Sequence, residues 1–155
     1  MLYYFGFTDI TNSGERLWAS LFHSISAYNN AGFGLWSDSL EAYRGNVVVN
    51  IVIILLIVLG GLGWRVTSDI WTNRKDLRLR NFSLHTRLVI RTSIILTAIG
   101  TFGLILTESI VDGSFFSKLT FQERVVSSIF ESVSARTAGF TNIPISFDTI
   151  SDSGL

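Results

Sequence analysis

The sequence contains no cysteine, one proline, one methionine and two histidines in 155 residues. The absence of cysteine excludes a disulfide framework, a thiol nucleophile and a thiolate zinc site, and it leaves the redox compartment unread. A single proline beside 13 glycines is not the composition of a disordered linker. Charge is also scarce. Charged residues make up 15% of the chain, against about 25% in ordinary globular domains. Hydrophobic residues make up 48% and the mean hydropathy is +0.43, a balance that points to a membrane. Twelve basic and twelve acidic residues cancel, which argues against a general nucleic-acid binder, because phosphate affinity needs surplus Lys and Arg. The length allows one ordinary domain. Residues 1–14 have neither a basic leading region nor a small-residue cleavage site, so they do not read as a signal peptide.

The neutral total conceals a segregation. Arg65, Arg74, Lys75, Arg78, Arg80, Arg87 and Arg91 lie within 27 residues that hold only two acids, Asp69 and Asp76. An apolar run flanks this basic stretch on each side, so the positive-inside rule predicts a cytoplasmic connection, with both ends of the chain on the external side. The first run, residues 47–63, is uncharged, and Asn50 is its only strongly polar side chain. Extended to residues 46–64 it would form a helix of about 28 Å, close to the hydrocarbon thickness, with Trp64 and Arg65 as interface anchors. The second run, residues 88–106, contains Arg91 one turn inside its basic end and is closed by Glu108; Arg91 is placed to snorkel to the headgroups. Gly60, Gly61, Gly63, Gly100 and Gly103 read first as close-packing positions between helices, and only second as hinges.

The chain contains an internal repeat. Residues 15–27 read ERLWASLFHSISA and residues 123–135 read ERVVSSIFESVSA, with seven of thirteen positions identical. After one residue of slippage, Asn30-Ala31-Gly32-Phe33 matches Thr137-Ala138-Gly139-Phe140. Two copies of one unit imply a repeated architecture. Each unit is an apolar segment of three to four turns followed by a small-small-aromatic turn. It is too short to span and too apolar for a loop, which fits a re-entrant element. Nonhelical backbone at membrane depth is tolerated where it lines a water-filled path.

The chemistry suited to such a stretch is cation dehydration, in which main-chain carbonyls replace the hydration shell of K⁺. Consecutive carbonyls can face one path when a residue adopts angles that a Cβ disfavours, hence Gly32 and Gly139. The carboxyl end of the preceding helix adds partial negative charge. Phe33 and Phe140 are expected to pack behind the turn. A lone Ala-Gly-Phe tripeptide usually marks an ordinary turn; the repetition makes this one informative.

At these residues the chain resembles the Trk/Ktr/HKT superfamily of potassium transporters, most closely the bacterial Ktr-type membrane subunit. The matching text is SAYNNAGFGLWSDSL, GGLGW, LHTRLV and SVSARTAGFTNI. The resemblance implies an all-α membrane protein with two transmembrane helices and two re-entrant pore-helix and filter loops, forming part of a four-repeat pore. Asn30, Ala31 and Gly32 would be the second repeat's filter strand, and Thr137, Ala138 and Gly139 the third's. Residues 1–64 would then be pore helix, filter and inner helix (46–64) of one repeat, and residues 65–86 a basic cytoplasmic loop. Residues 87–155 would be outer helix (87–107), pore helix and filter of the next. Two of four strands cannot surround an ion, so the chain is expected to be a fragment. The resemblance further implies K⁺ as the transported ion, with Na⁺ as an open coupling ion and no organic cofactor. The implied partners are membrane lipid, the missing repeats, a second copy in a homodimer and a cytoplasmic nucleotide-binding regulatory ring, with no nucleic acid. The implied location is the plasma (inner) membrane. Glycine in both filter turns fits a preference for K⁺ over Na⁺, although the first repeat, which decides this in the family, is not in the sequence.

Single residues divide between plain and functional readings. His23 occupies the position of Glu131 in the second copy and reads as a packing or hydrogen-bonding residue rather than a ligand. His85 reads as solvated. Glu131 needs a partner at membrane depth; Arg136 is the candidate, the outer mouth its alternative. Asp38, Glu41, Asp112 and Asp148 read equally as a cation-concentrating mouth or as solvated loops. Arg74, Lys75, Arg78 and Arg80 read as topogenic charges and anionic-lipid contacts, with ring docking as the reading the resemblance adds. The competing functions are a nontransporting membrane scaffold of interfacial helices and a membrane enzyme. No catalytic arrangement of Ser, His and carboxylate supports the enzyme.

Overall fold

Most helices of the computed structural model begin where polar side chains satisfy the free N–H groups of a first turn. The structure describes residues 2–74, 76, 78, 81–110 and 119–143. α1 (Ser13–Tyr28) starts behind Asn12, whose side chain accepts the Gly14 N–H at 2.9 Å. α2 (Val47–Gly61) starts behind Asn46, whose side chain accepts the N–H groups of Val48 and Val49. α3 (Gly63–Thr72) and α4 (Leu84–Ile110) follow. α5 (Phe121–Thr137) starts at a reciprocal pair in which Glu123 accepts both the Thr120 N–H (3.0 Å) and the Thr120 hydroxyl (2.6 Å). A π-helical turn (Leu2–Gly6) precedes α1 and a 3₁₀ turn (Glu41–Tyr43) precedes α2. Every regular element among the described residues is helical, compatible with a helical membrane protein.

The two repeat helices run longer than the sequence pattern indicates, 16 and 17 residues, because the caps at Asn12 and Thr120 add a half-turn ahead of the repeated text. α4 likewise extends beyond residues 87–107 at both ends. It holds an 18-residue apolar stretch none of which is buried within the chain, and it is the one described helix long and apolar enough to cross a membrane unaided. Ile94, Ile95, Ile99 and Phe102 are all exposed along it, as a lipid-facing stripe requires.

The first apolar run departs from the expected continuous 46–64 helix. α2 ends at Gly61, and α3 leaves it at 103° after Leu62. Gly63 has φ +76° at the bend, in the left-handed region open to glycine. α2 alone measures about 22 Å, so it counts as a second span only as a broken one joined to α3.

The core lies where α1, α2 and α5 meet. Ile53 and Ile57 of α2, Ala27 of α1, Phe130 and Val133 of α5, and Phe140 beyond it are all buried. α1 and α5 both pack on α2, and α5 also packs on α4. Two of the five glycines read as close-packing positions take that role. A Cβ at Gly60 would overlap the Tyr28 carbonyl, and one at Gly100 would overlap the Ser132 hydroxyl. Gly103 has open space beside it, and Gly61 only ordinary contacts with Asn30.

Candidate functional site

Both turns that follow the repeat helices are built in the same way. Ala31 N–H returns to the Ser26 carbonyl at 2.9 Å, and Gly139 N–H returns to the Ser134 carbonyl at 3.1 Å. Gly32 has φ +71° and Gly139 φ +78°, so each turn uses angles that L side chains resist. Asn30 also has positive φ, +53°, which asparagine tolerates better than most residues. The carboxyl ends of α1 and α5 therefore stop next to reversed chain, and their partial negative charge falls beside the turns.

The structure brings the six sequence-predicted residues together. The Thr137 hydroxyl donates to the Asn30 side-chain oxygen at 2.9 Å, joining matched positions of the two copies. The Ala138 carbonyl lies so close to Gly32 that a Cβ there would overlap it. Just beyond, Leu40 N–H donates to the Thr141 carbonyl at 3.0 Å, so the two loops touch at both ends. Gly139 and Ala31 are exposed, Gly32 and Asn30 partly so, and Ala138 is buried. Among the described residues, no hydrogen bond is accepted by the main-chain carbonyls of Asn30, Ala31, Gly32, Thr137, Ala138 or Gly139. Paired, unspent carbonyl oxygens beside two helix C-termini form a surface that favours a cation over an anion. A cleft lined by Ile57, Gly61, Ser93, Arg136 and Thr137 adjoins them.

The aromatic backing is present on one side only. Phe140 is 2% exposed, as expected, whereas Phe33 is 70% exposed and lies on an open groove with Trp18, Leu21 and Ile25. Phe33 is thus corrected from a backing residue to a surface one, because no element among the described residues covers the outer face of α1. Glu131 is also corrected. Its carboxylate accepts the Thr141 hydroxyl and the Asn142 N–H, both at 2.9 Å. Arg136 instead donates to the Ser93 carbonyl of α4 at 3.3 Å. His23 is wholly buried, stacked 4.7 Å from Trp36 and in contact with Phe7, a packing and hydrogen-bonding residue. His85, Arg74, Arg78 and Asp38 are exposed. Lys75, Arg80, Asp112, Asp148 and the Glu108 side chain lie outside the described residues.

Sequence reasoning missed two contributors. Phe7, Trp36 and Tyr43 form an aromatic cluster beside His23, with Phe7 edge-on to both of the others, which the scatter of aromatics along the sequence does not reveal. Asn50, fully buried, donates to the Tyr43, Arg44 and Asn46 carbonyls and accepts the Asn142 amide at 2.7 Å. Its signal was the lone polar side chain in an uncharged run. The described residues hold no cluster of His, Cys, Asp and Glu suited to a metal ion.

An all-helical chain with one long, lipid-suited apolar helix and two matched glycine turns is of the class of helical membrane proteins. Residues 4–150 match the TrkH family, whose description is "Cation transport protein", and the chain belongs to that family. It is similar to the Ktr system potassium uptake protein B of Bacillus subtilis, with 42% identity over 127 residues, covering 82% of this chain and 28% of that protein. The potassium/sodium uptake protein NtpJ of Enterococcus hirae is 37% identical over 129 residues, covering 83% and 28%. The Ktr system potassium uptake protein B of Vibrio alginolyticus is 35% identical over 127 residues, covering 81% and 27%. The chain thus spans somewhat over a quarter of the length of these relatives.

Proposed function

We propose that this chain supplies two of the four filter strands of a K⁺ uptake pore in the plasma membrane. Asn30, Ala31 and Gly32 form one strand, and Thr137, Ala138 and Gly139 the other. The observation that carries the reading is the juxtaposition of the two turns with their carbonyls unspent among the described residues. An ion leaving water needs such oxygens in place of its hydration shell. The relatives named for potassium uptake support K⁺ as the ion, and the name of the Enterococcus relative supports Na⁺ as a second, coupling ion.

In this reading the units before and after the basic stretch are re-entrant loops that open to the external side. Residues 1–64 and 87–155 belong to successive repeats, and the basic residues 65–86 face the cytoplasm. Lipid, the remaining repeats, a second copy of the transporter and a cytoplasmic nucleotide-binding ring are the partners that complete it. The test is Rb⁺ uptake into cells lacking their own K⁺ uptake, with the full-length transporter that carries this segment. Uptake is expected for the unaltered protein and is lost in Gly139→Asp, which places a charged side chain and a strained backbone in the turn. Equal uptake by both would overturn the reading. No uptake by the unaltered protein would favour a nontransporting scaffold.

A further inference from the structure

At one matched position the two units carry chemically unlike side chains, yet those side chains perform the same act. His23 and Glu131 correspond in the repeat, 108 residues apart; beyond the slipped residue, Leu35 corresponds to Asn142. His23 Nδ1 lies 2.8 Å from the Ala19 carbonyl, which can only accept, so the ring proton sits on Nδ1. That leaves the Nε2 lone pair free, and the Leu35 N–H donates to it across 3.4 Å. In the second unit the Asn142 N–H donates to the Glu131 carboxylate at 2.9 Å. The same backbone N–H, two residues past the turn phenylalanine, is held from the same helix position in both copies.

A second matched bond runs the other way. The Ser26 hydroxyl donates to the Phe33 carbonyl at 2.8 Å, and the Ser134 hydroxyl donates to the Phe140 carbonyl at 2.5 Å. Each returning segment is therefore pinned twice from its own helix, once at a carbonyl and once at an N–H. Two pins on one short segment fix the rotation of its peptide planes. That rotation sets where the oxygens on the glycine side point. Neither anchor is free to swing. His23 is held by the Trp36 stack at 17° and by Phe7, and Glu131 by the Thr141 hydroxyl.

We propose that His23 and Glu131 are equivalent positioning residues that hold the returning segments of the two filter turns and thereby set the pore's preference among alkali cations. The inference rests on the K⁺ pore reading. A merely structural role would change the amount of folded protein and the uptake of every ion together. A positioning role changes the ratio between ions.

The experiment uses the full-length transporter that carries this segment and reads Rb⁺ uptake with Na⁺ as competitor, normalised to the protein in the membrane. Glu131→Ala and His23→Phe, which remove the acceptor, are expected to lower the Rb⁺-over-Na⁺ preference about fivefold each, the size of one lost hydrogen bond. Glu131→Gln and His23→Gln keep an acceptor oxygen and are expected to restore the preference. An unchanged ratio in the acceptor-less variants, or glutamine variants as impaired as they are, would overturn the proposal. If Glu131→Ala does not accumulate, Ser134→Ala removes the other pin and is read by the same ratio, with the same two outcomes. Absent Rb⁺ uptake by the unaltered protein would strike the pore reading itself, a result distinct from uptake with an unmoved ratio.

Discussion

The unit built on α1 and the unit built on α5 carry one sequence pattern and meet different surroundings. On α5, Val133 is 2% exposed and Ser132 donates to the Thr97 carbonyl of α4. On α1, the matched Ile25 is 55% exposed, and Leu17, Trp18 and Leu21 are exposed around it. Val133 sits in the core with Ile53 and Ile57 of α2, and α4 lies against α5 at Ser132 and Arg136, whereas nothing among the described residues covers the matched outer face of α1. Burial in a repeat is therefore a property of the neighbour as much as of the sequence. The turns themselves are alike in spite of this, because their hydrogen bonds come from inside each unit.

The largest effect that tests the comparison is expected at the turn glycines. Gly32→Ala adds a Cβ against the Ala138 carbonyl and is expected to abolish Rb⁺ uptake. Gly139→Ala meets open space and carries only the strain of its positive φ, about 1–2 kcal/mol, so uptake is reduced but measurable. Equal loss at both would deny that one loop leans on the other. Next come the helix contacts. Gly60→Ala and Gly100→Ala overfill contacts with Tyr28 and Ser132, and each is expected to cost about 1–3 kcal/mol, seen as a lower Tm in detergent. Gly61→Ala and Gly103→Ala have the space and are expected to leave the Tm unchanged.

The exposed and covered faces give a smaller and sharper test. Val133→Ala is expected to cost about 2 kcal/mol, and Ile25→Ala in the chain alone within about 0.5 kcal/mol, both read from denaturation. In the full-length transporter the Ile25→Ala cost is expected to rise toward the Val133→Ala value; an unchanged cost would mean that lipid, not protein, covers α1. The smallest effect lies at the α3–α4 junction. Hydrogen bonds from the Thr86 side chain and the Ser83 N–H hold the Asp69 carboxyl below its ordinary value of 3.8. A carboxyl depressed on folding stabilises above its unfolded pKa and loses that contribution as pH falls through the folded one. Protection of the Ser83 amide from hydrogen exchange is therefore expected to fall below about pH 4. Asp69→Asn is expected to remove that pH dependence.

Much of this was legible in the sequence because it depends on local chemistry. The apolar length of α4 and the repeated glycine turns announce themselves within a few residues. What was illegible depends on contacts or on geometry across a break. Pairing Glu131 with Arg136 failed because residues five apart on a helix stand about 140° apart and do not face each other. The exposure of Phe33 could not be read from a motif that Phe140 shares. The bend after Gly61 was hidden because glycines in an apolar helix serve close packing as readily as a turn, and only Gly63 among them takes a positive φ.

The bond between Thr137 and Asn30 has a further consequence for how the proposed filter must be interrogated. That bond ties the two side chains to each other, and the atoms the proposed filter would offer a cation are peptide oxygens, which every amino acid possesses. Ordinary side-chain exchange reports on the scaffold and is blind to the coordinating atoms. Replacing single amides by esters, which weakens one carbonyl and leaves every side chain in place, is the alteration that addresses those atoms directly.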